Sequence, residues 1–311
     1  MGMKAFNKVL NLICLSASLA VQIAGQTTQV RTITVKSEPK TIVWIDDVRY
    51  GRTSDDGTLT IKTVAHGPHT LRLRADGFKE TTKAITAAQQ GTIAVPLTKT
   101  DDKAELKYQE AERLSSTDRD AAIEAYREAI KMHPGYARAY IGLARALSEN
   151  DDADGALGAI RDLRKAAPAN AEASAIEGRI RKDAGDDTKA ITAFKRSIVE
   201  GKGFQPEAYT GLGLLYKERA EAAGSSGDFR NETANFDEAA KNFHVALKQL
   251  SGAPDATVLY QLIGLVLERQ KKYAEAIAVY EEFLRFFPDS NDAPAVQSFI
   301  VQLKKQMADQ K

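Results

Sequence analysis

Four histidines and one cysteine are the side chains from which a metal or nucleophile site would have to start, and their placement offers little chemistry. His66 and His69 flank Gly67-Pro68. Two imidazoles can open a metal site, but a structural site takes about four ligands, and no cysteine or further histidine stands near. A turn histidine and a strand-start histidine are the expected roles. His133 precedes Pro134, where a partly positive imidazole suits a helix C-terminus, and His244 beside Phe243 reads as a boundary residue. The chain contains no Gly-x-Ser-x-Gly elbow, no phosphate-cradling glycine loop and no His-Glu-x-x-His pair. Its carboxylates mostly lie three or four residues from Lys or Arg, the spacing of a solvated helix face. No catalytic residue, metal site or cofactor is therefore expected, and the chain reads as a non-enzyme. With 43 basic and 42 acidic residues it also lacks the electrostatic footprint of a nucleic-acid binder.

What remains is recognition, and the elements that would carry it repeat. Ala122, Ala156 and Ala190 stand 34 residues apart, and Tyr126, Ile160 and Phe194 follow them four places on. Tyr140, Leu143, Ala144 and Leu147 precede one such phrase; Ile176, Gly178 and Ile180 precede the next. The order returns in Tyr260, Ile263, Gly264, Leu267, Ala276, Tyr280, Phe283 and Pro288. Spacings of three and four put one apolar stripe on each helix, and paired stripes must face each other to leave water. Prolines 134, 168, 254 and 288 end the second helices.

This pattern resembles the tetratricopeptide repeat, a helix-turn-helix unit of that length. The resemblance implies an all-α superhelical solenoid with five units, at 104–136, 137–170, 171–205, 206–255 and 256–289. In the first unit Ala111 stands one residue too close to Ala122, which places a shortened turn between them. In the fourth, Ala239, Phe243 and Ala246 arrive about 14 residues late, after an insert at 217–236 with Gly224 and Gly227 at its middle. Both helices are expected to run on by about two turns, as a surface hairpin that could serve as a partner-contact arm. After Pro288, Val296, Ile300, Leu303 and Met307 form one stripe, so 290–311 is expected to cap the last apolar face.

Residues 30–98 read differently. Ile33 and Val35, Ile42 and Trp44, Leu59 and Ile61, Leu71 and Leu73, and Ile93 and Val95 alternate with polar neighbours. Turn signals at Asp46-Asp47, Asp55 to Gly57, Gly67-Pro68, Asp76-Gly77 and Gln90-Gly91 separate them. Six or seven short strands suggest a small antiparallel β-sandwich with Trp44 in its core or at its edge. The order Glu38-Pro39, Trp44-Ile45-Asp46, Gly51-Arg52-Thr53, Gly67-Pro68-His69 and Asp76-Gly77-Phe78 resembles the PEGA domain, although Asp46-Asp47 replaces that family's common Asp-Gly turn. The resemblance implies a surface or envelope module of bacterial or archaeal proteins, without catalysis. Residues 99–103 read as a linker.

The repeat resemblance also implies a binding groove lined by the first helix of each unit. Its candidate residues are Arg138, Ile141 and Arg145; Arg179 and Lys182; Leu214 and Lys217; and Val258, Gln261 and Leu265. Such a groove would be basic in the middle and apolar toward its end. It would suit a partner protein's peptide or helix, acidic or carboxylate-bearing where it meets the arginines.

At the start, Lys4 and Lys8 precede an apolar run broken by Asn11, Ser16, Ser18 and Gln22. It is short and polar for a membrane span, and 1–25 reads as a secretory signal peptide; an uncleaved signal would tether the chain to a membrane. Ile13 before Cys14 argues against a lipidated cysteine. The expected protein is thus an exported scaffold of the periplasm or cell envelope, holding a protein partner. The alternative is a glycan-binding sandwich spaced or oligomerised by the repeats.

Overall fold

The structure, a computed structural model, describes residues 30–309 apart from residue 251. The expected signal segment and Cys14 lie outside the described residues.

Seven strands come first: β1 Val30–Lys36, β2 Ile42–Ile45, β3 Val48–Arg52, β4 Thr58–Ala65, β5 His69–Arg74, β6 Thr81–Ile85 and β7 Gly91–Ala94. They form a three-stranded sheet ordered β4-β1-β7 and a four-stranded sheet ordered β3-β2-β5-β6. All pairings are antiparallel except β1 with β7, which is parallel. Alternate residues point between the sheets, so Ile33, Val35, Val43, Ile45, Ile61, Leu71, Leu73 and Ile93 build one core.

In β2 the inward residues are Val43 and Ile45, one step off the alternation that pairs Ile42 with Trp44. The Asp46-Asp47 turn explains the shift. Both residues take positive φ, 49° and 65°, and close a two-residue hairpin in which Ile45 faces Val48. Strand period is two, so fixing that pair fixes every side chain's face. Asp46 tolerates the left-handed conformation because its carboxylate is held: Oδ1 accepts from the Thr70 amide at 2.8 Å, and Oδ2 lies 2.6 Å from His69 Nδ1. Trp44 consequently lies half-buried on the outer face, with the Arg72 guanidinium 4.1 Å from its ring centre and Arg74 at 5.2 Å.

Eleven helices follow among the described residues: α1 Lys103–Leu114, α2 Arg119–Met132, α3 Ala137–Glu149, α4 Ala153–Ala166, α5 Ala171–Asp183, α6 Asp187–Glu200, α7 Pro206–Ser225, α8 Phe229–Leu250, α9 Ala256–Arg269, α10 Tyr273–Phe286 and α11 Ala293–Asp309. Asp102, Asp118, Asp152, Asn170 and Asp186 cap α1, α2, α4, α5 and α6 by accepting backbone N–H groups. Such a cap typically stabilises by about 1 kcal/mol.

Close packing within the array rests on glycine facing an aromatic ring. A methyl group on Gly178, Gly213 or Gly264 would overlap the ring of Phe194, Phe243 or Tyr280 in the second helix of the same unit. Tyr126 instead reaches forward to Gly142 of the next unit, and Phe194 also meets Gly211 of the next. The irregularity of the first unit lies in its helix. Helix α1 ends at Leu114, three residues past Ala111, whereas α3 runs five past Ala144; the α1–α2 connection is longer than the α3–α4 one. Helices α7 and α8 span 20 and 22 residues against 12 to 14 for α1 to α6, which puts the insert's length on both sides of the 226–228 turn. Val296, Ile300 and Leu303 of α11 are buried with the last repeat.

The sandwich meets the array in two places far apart in sequence. At the first, buried Arg74 donates to Tyr108 Oη at 2.5 Å and to Glu112 at 2.7 Å. Gln109 bridges the Gly77 amide at 2.8 Å and the Phe78 carbonyl at 3.0 Å. The polar connection is itself tied down, since the Lys79 amide donates to Thr98 and the Thr100 amide to Gly77. At the second place, fully buried Ala253 joins the sandwich core and Leu250 packs against it. Thr63 Oγ1 donates to the Gly252 carbonyl at 2.9 Å. Strands β3 and β4 are edges of their sheets, and this loop covers the apolar opening beside them.

Candidate partner-binding groove

The first helices of the units neighbour one another, α1 against α3, α3 against α5 and α5 against α7. Their shared face carries the expected groove residues, each in a definite setting. Arg138, in the first turn of α3, holds Glu80 of the sandwich through two bonds of 2.5 and 2.6 Å. Ile141 is 7% exposed, packed in the apolar cluster of the first three units, and presents no surface to a partner. Arg145 donates to Glu172 at 3.1 Å and Glu207 at 2.6 Å. Arg179 lies 3.7 Å from the same Glu207, while its Nη2 is buried without an acceptor. Lys182 is shared by Glu218 and Asp183, both at 3.2 Å, and Lys217 pairs with Glu221 at 2.8 Å.

The basic middle is therefore an internal ladder of alternating charge. Glu207 in the first turn of α7 clamps arginines from two preceding first helices. Burial opposes the charged form of Arg145, but the two carboxylates outweigh it and raise its pKa. A charge reversal at Arg145 would set three carboxylates together, so it would disturb the array as well as any partner. The expectation of an exposed basic strip gives way to a groove whose cations already have partners. Glu80, Glu207 and Glu218 are the residues that sequence reading passes over. Only Glu207 carries a signal: like Glu172, it stands early in a first helix, one unit after an arginine of the previous first helix.

The apolar end is different in kind. Val258 and Leu265 are 51% and 39% exposed, although Leu259, Tyr260, Ile263, Val266 and Leu267 of the same helix are buried. Gln261 lies between them on the same face and donates to Asp292 at 3.2 Å. Leu214 of α7 is half-buried against the C-terminal cluster.

His69 offers no free ligand atom, because Nδ1 faces Asp46 and Nε2 lies 2.8 Å from the Ala65 carbonyl. Among the described residues, no group of three or more His, Cys, Asp or Glu side chains is placed to hold a metal ion, and no helix is long and apolar enough to cross a membrane.

A small two-sheet β-sandwich followed by paired helices with an apolar interior defines a repeat scaffold. Models of the tetratricopeptide repeat match residues 113–180 and 232–291, and the PEGA domain model matches residues 30–101. The chain is a tetratricopeptide-repeat protein with a PEGA-like domain ahead of its array. Among solved structures, yeast Tom70 aligns with a TM-score of 0.53 at 18% identity, over 66% of this chain and 40% of that one. A thermophilic TPR protein of Thermus thermophilus gives 0.46 at 16% identity over 64% of this chain and 99% of that one. The MamA protein gives 0.43 at 20% identity over 61% and 94%. At such identities the Tom70 likeness speaks for the fold of the array alone. No curated protein matches the sequence. Repeats of this kind support a protein–protein interaction scaffold.

Proposed function

We propose that this protein is an exported scaffold of the cell envelope, and that its groove grips a partner through the apolar end of the array. The observation that carries the reading is the stripe formed by Val258, Gln261 and Leu265, spaced at i, i+3 and i+7 on one face of α9. Val258 and Leu265 are only partly exposed, so covering the rest would recover roughly 0.6–1.5 kcal/mol each, a gain that a partner's apolar side chains would supply. The partner segment is apolar where it meets α9. It carries at most one carboxylate near Arg179, the least compensated of the groove cations. Export rests on the signal-like sequence of 1–25 and on the PEGA-like domain.

Photoreactive residues at Val258 and Leu265, introduced in the native envelope, should capture a partner that a control at Val199 does not; Val199 lies on the second helix α6 and is 76% exposed. Identical captures from all three positions would sink the groove reading. N-terminal sequencing of the protein from fractionated cells tests export separately: a chain that retains 1–20 and stays in the cytosol contradicts it.

A further inference from the structure

We infer that the PEGA-like sandwich is a latch, which fixes the separation of the first repeat from the junction of the fourth and fifth and thereby the width of the groove. Its two attachments differ in kind. The first is a fixed pivot: the connecting chain passes through it, buried Arg74 donates there to Tyr108 and Glu112, and Gln109 satisfies both Gly77 and Phe78. The second has no continuous chain behind it. Among the described residues it is carried by Ala253 and Leu250 in the opening between the sheets and by a hydrogen bond from Thr63 to Gly252. The ion pair flanking it, Lys62 with Asp289 at 3.9 Å, has side chains 76% and 88% exposed and adds little. When one of two attachments must give way, the second does.

The second attachment also sits where movement would matter. Ala253 precedes α9, whose outer face carries Val258 and Leu265, by less than one turn. Gln249, at the end of α8, accepts from the Gln205 amide at 2.8 Å and donates to the Gly203 carbonyl at 2.7 Å. It thereby ties the latch to the start of α7, where Glu207 clamps Arg145 and Arg179. Releasing the latch frees the fourth and fifth units to swing relative to the first while the pivot holds. Any partner that prefers one groove width shifts the latch equilibrium by its difference in affinity for the two states.

The loop itself supplies the perturbation. Gly252 has φ of 77°, and a Cβ added there would lie 2.8 Å from Thr63 Cβ. Gly252→Val is both strained and blocked at the contact, whereas Thr63→Ala removes the hydrogen bond together with one methyl group and adds no bulk. Spin labels at Lys62→Cys and Asp289→Cys, in the full chain carrying Cys14→Ser, read the latch distance. The parent should give one short, narrow distance distribution. Gly252→Val should move the population to longer distances, with the circular dichroism of the helices and the emission of Trp44 at the pivot unchanged. Thr63→Ala should lower the closed-to-open ratio by roughly two- to tenfold, the range of one net hydrogen bond. A broad, long distribution in the parent overturns the inference, as does a short distribution that both substitutions leave in place. A Trp44 emission shift that accompanies opening also overturns it, because Leu250 and Ala253 would then be an obligate part of the sandwich core.

Discussion

Replacing Gly264 by alanine is the sharpest test of how the array is packed. An isolated helix would gain from the change, since alanine is favoured over glycine by about 1 kcal/mol in a helix interior. Here the new methyl group would overlap the ring of Tyr280, which is 3% exposed and donates its hydroxyl to Glu268 at 2.9 Å. Overpacking of this kind costs roughly 1–3 kcal/mol. Displacing the ring also breaks a hydrogen bond to a carboxylate, worth about 1.5–3 kcal/mol. The balance is a loss of about 1.5–5 kcal/mol. Repeat arrays do not unfold in a single step, so a global midpoint would blur the effect. Amide hydrogen exchange followed helix by helix is the suitable assay: α9 and α10 should exchange faster while α3 and α4 keep their protection. Adding Tyr280→Leu should recover part of the loss, with a coupling of at least about 1 kcal/mol between the two positions. Unchanged or slower exchange in α9 and α10 would mean that propensity wins, and the ring-on-glycine account would be refuted.

The Asp46-Asp47 turn should respond unequally to glycine. Asp47→Gly relieves a left-handed residue at the expense of an exposed 3.2 Å contact with Arg72, so it should leave stability unchanged or raise it by up to about 1 kcal/mol. Asp46→Gly removes the acceptor of Thr70 and His69 and should cost about 1–3 kcal/mol. Thermal melts followed by Trp44 emission compare them, and equal responses would count against this reading of the turn. The protein should also lose stability in alkali. Burial first, then Asp46 for Tyr50 and Glu112 for Tyr108, pushes both phenols up from 10.0 to about 12. The folded state therefore keeps protons that the unfolded chain gives up above pH 10, so this stabilisation is complete below pH 10 and lost as pH rises through about 12. Ultraviolet titration of phenolate should lag in the native protein behind the same titration in denaturant; coincident curves would refute the burial argument.

The helical array was legible because its code is local. A small residue, an aromatic four places on and a closing proline specify one unit wherever they stand, and Gly178, Gly213 and Gly264 already face their rings in that code. The length of the α7–α8 hairpin followed from the helical spacing kept by Phe236, Ala240 and Phe243. In the sandwich, β2 alternates between residues that are all apolar from Ile42 to Ile45, so composition could not choose the inward pair and the turn geometry did. The groove was legible only as a list of positions. Whether Arg138 meets solvent or Glu80 is decided by a loop residue 58 positions away, just before β6, and Glu207 lies 62 residues from Arg145. The first pairing leaves no periodic trace, and the second shows only in the matching places of Glu172 and Glu207 in their helices. The second contact of the sandwich is hidden for the same reason, since a lone alanine after a helix looks like any other loop residue.

The bond between Thr63 and Gly252 joins residues 189 positions apart. For a chain that is made, or threaded across a membrane, from its N-terminus, this inverts the expected order of assembly. The sandwich is the first module to emerge, yet its apolar opening stays uncovered until most of the repeats have followed. Each helical pair can form from neighbouring residues as it appears, whereas closure of the sandwich waits for a contact of very high sequence separation, the kind that forms late and leaves surface exposed to misassociation. The N-terminal module is thus finished only after four repeats have followed it, and nascent chains stalled before residue 253 should carry those early repeats beside a sandwich whose core still lies open to water.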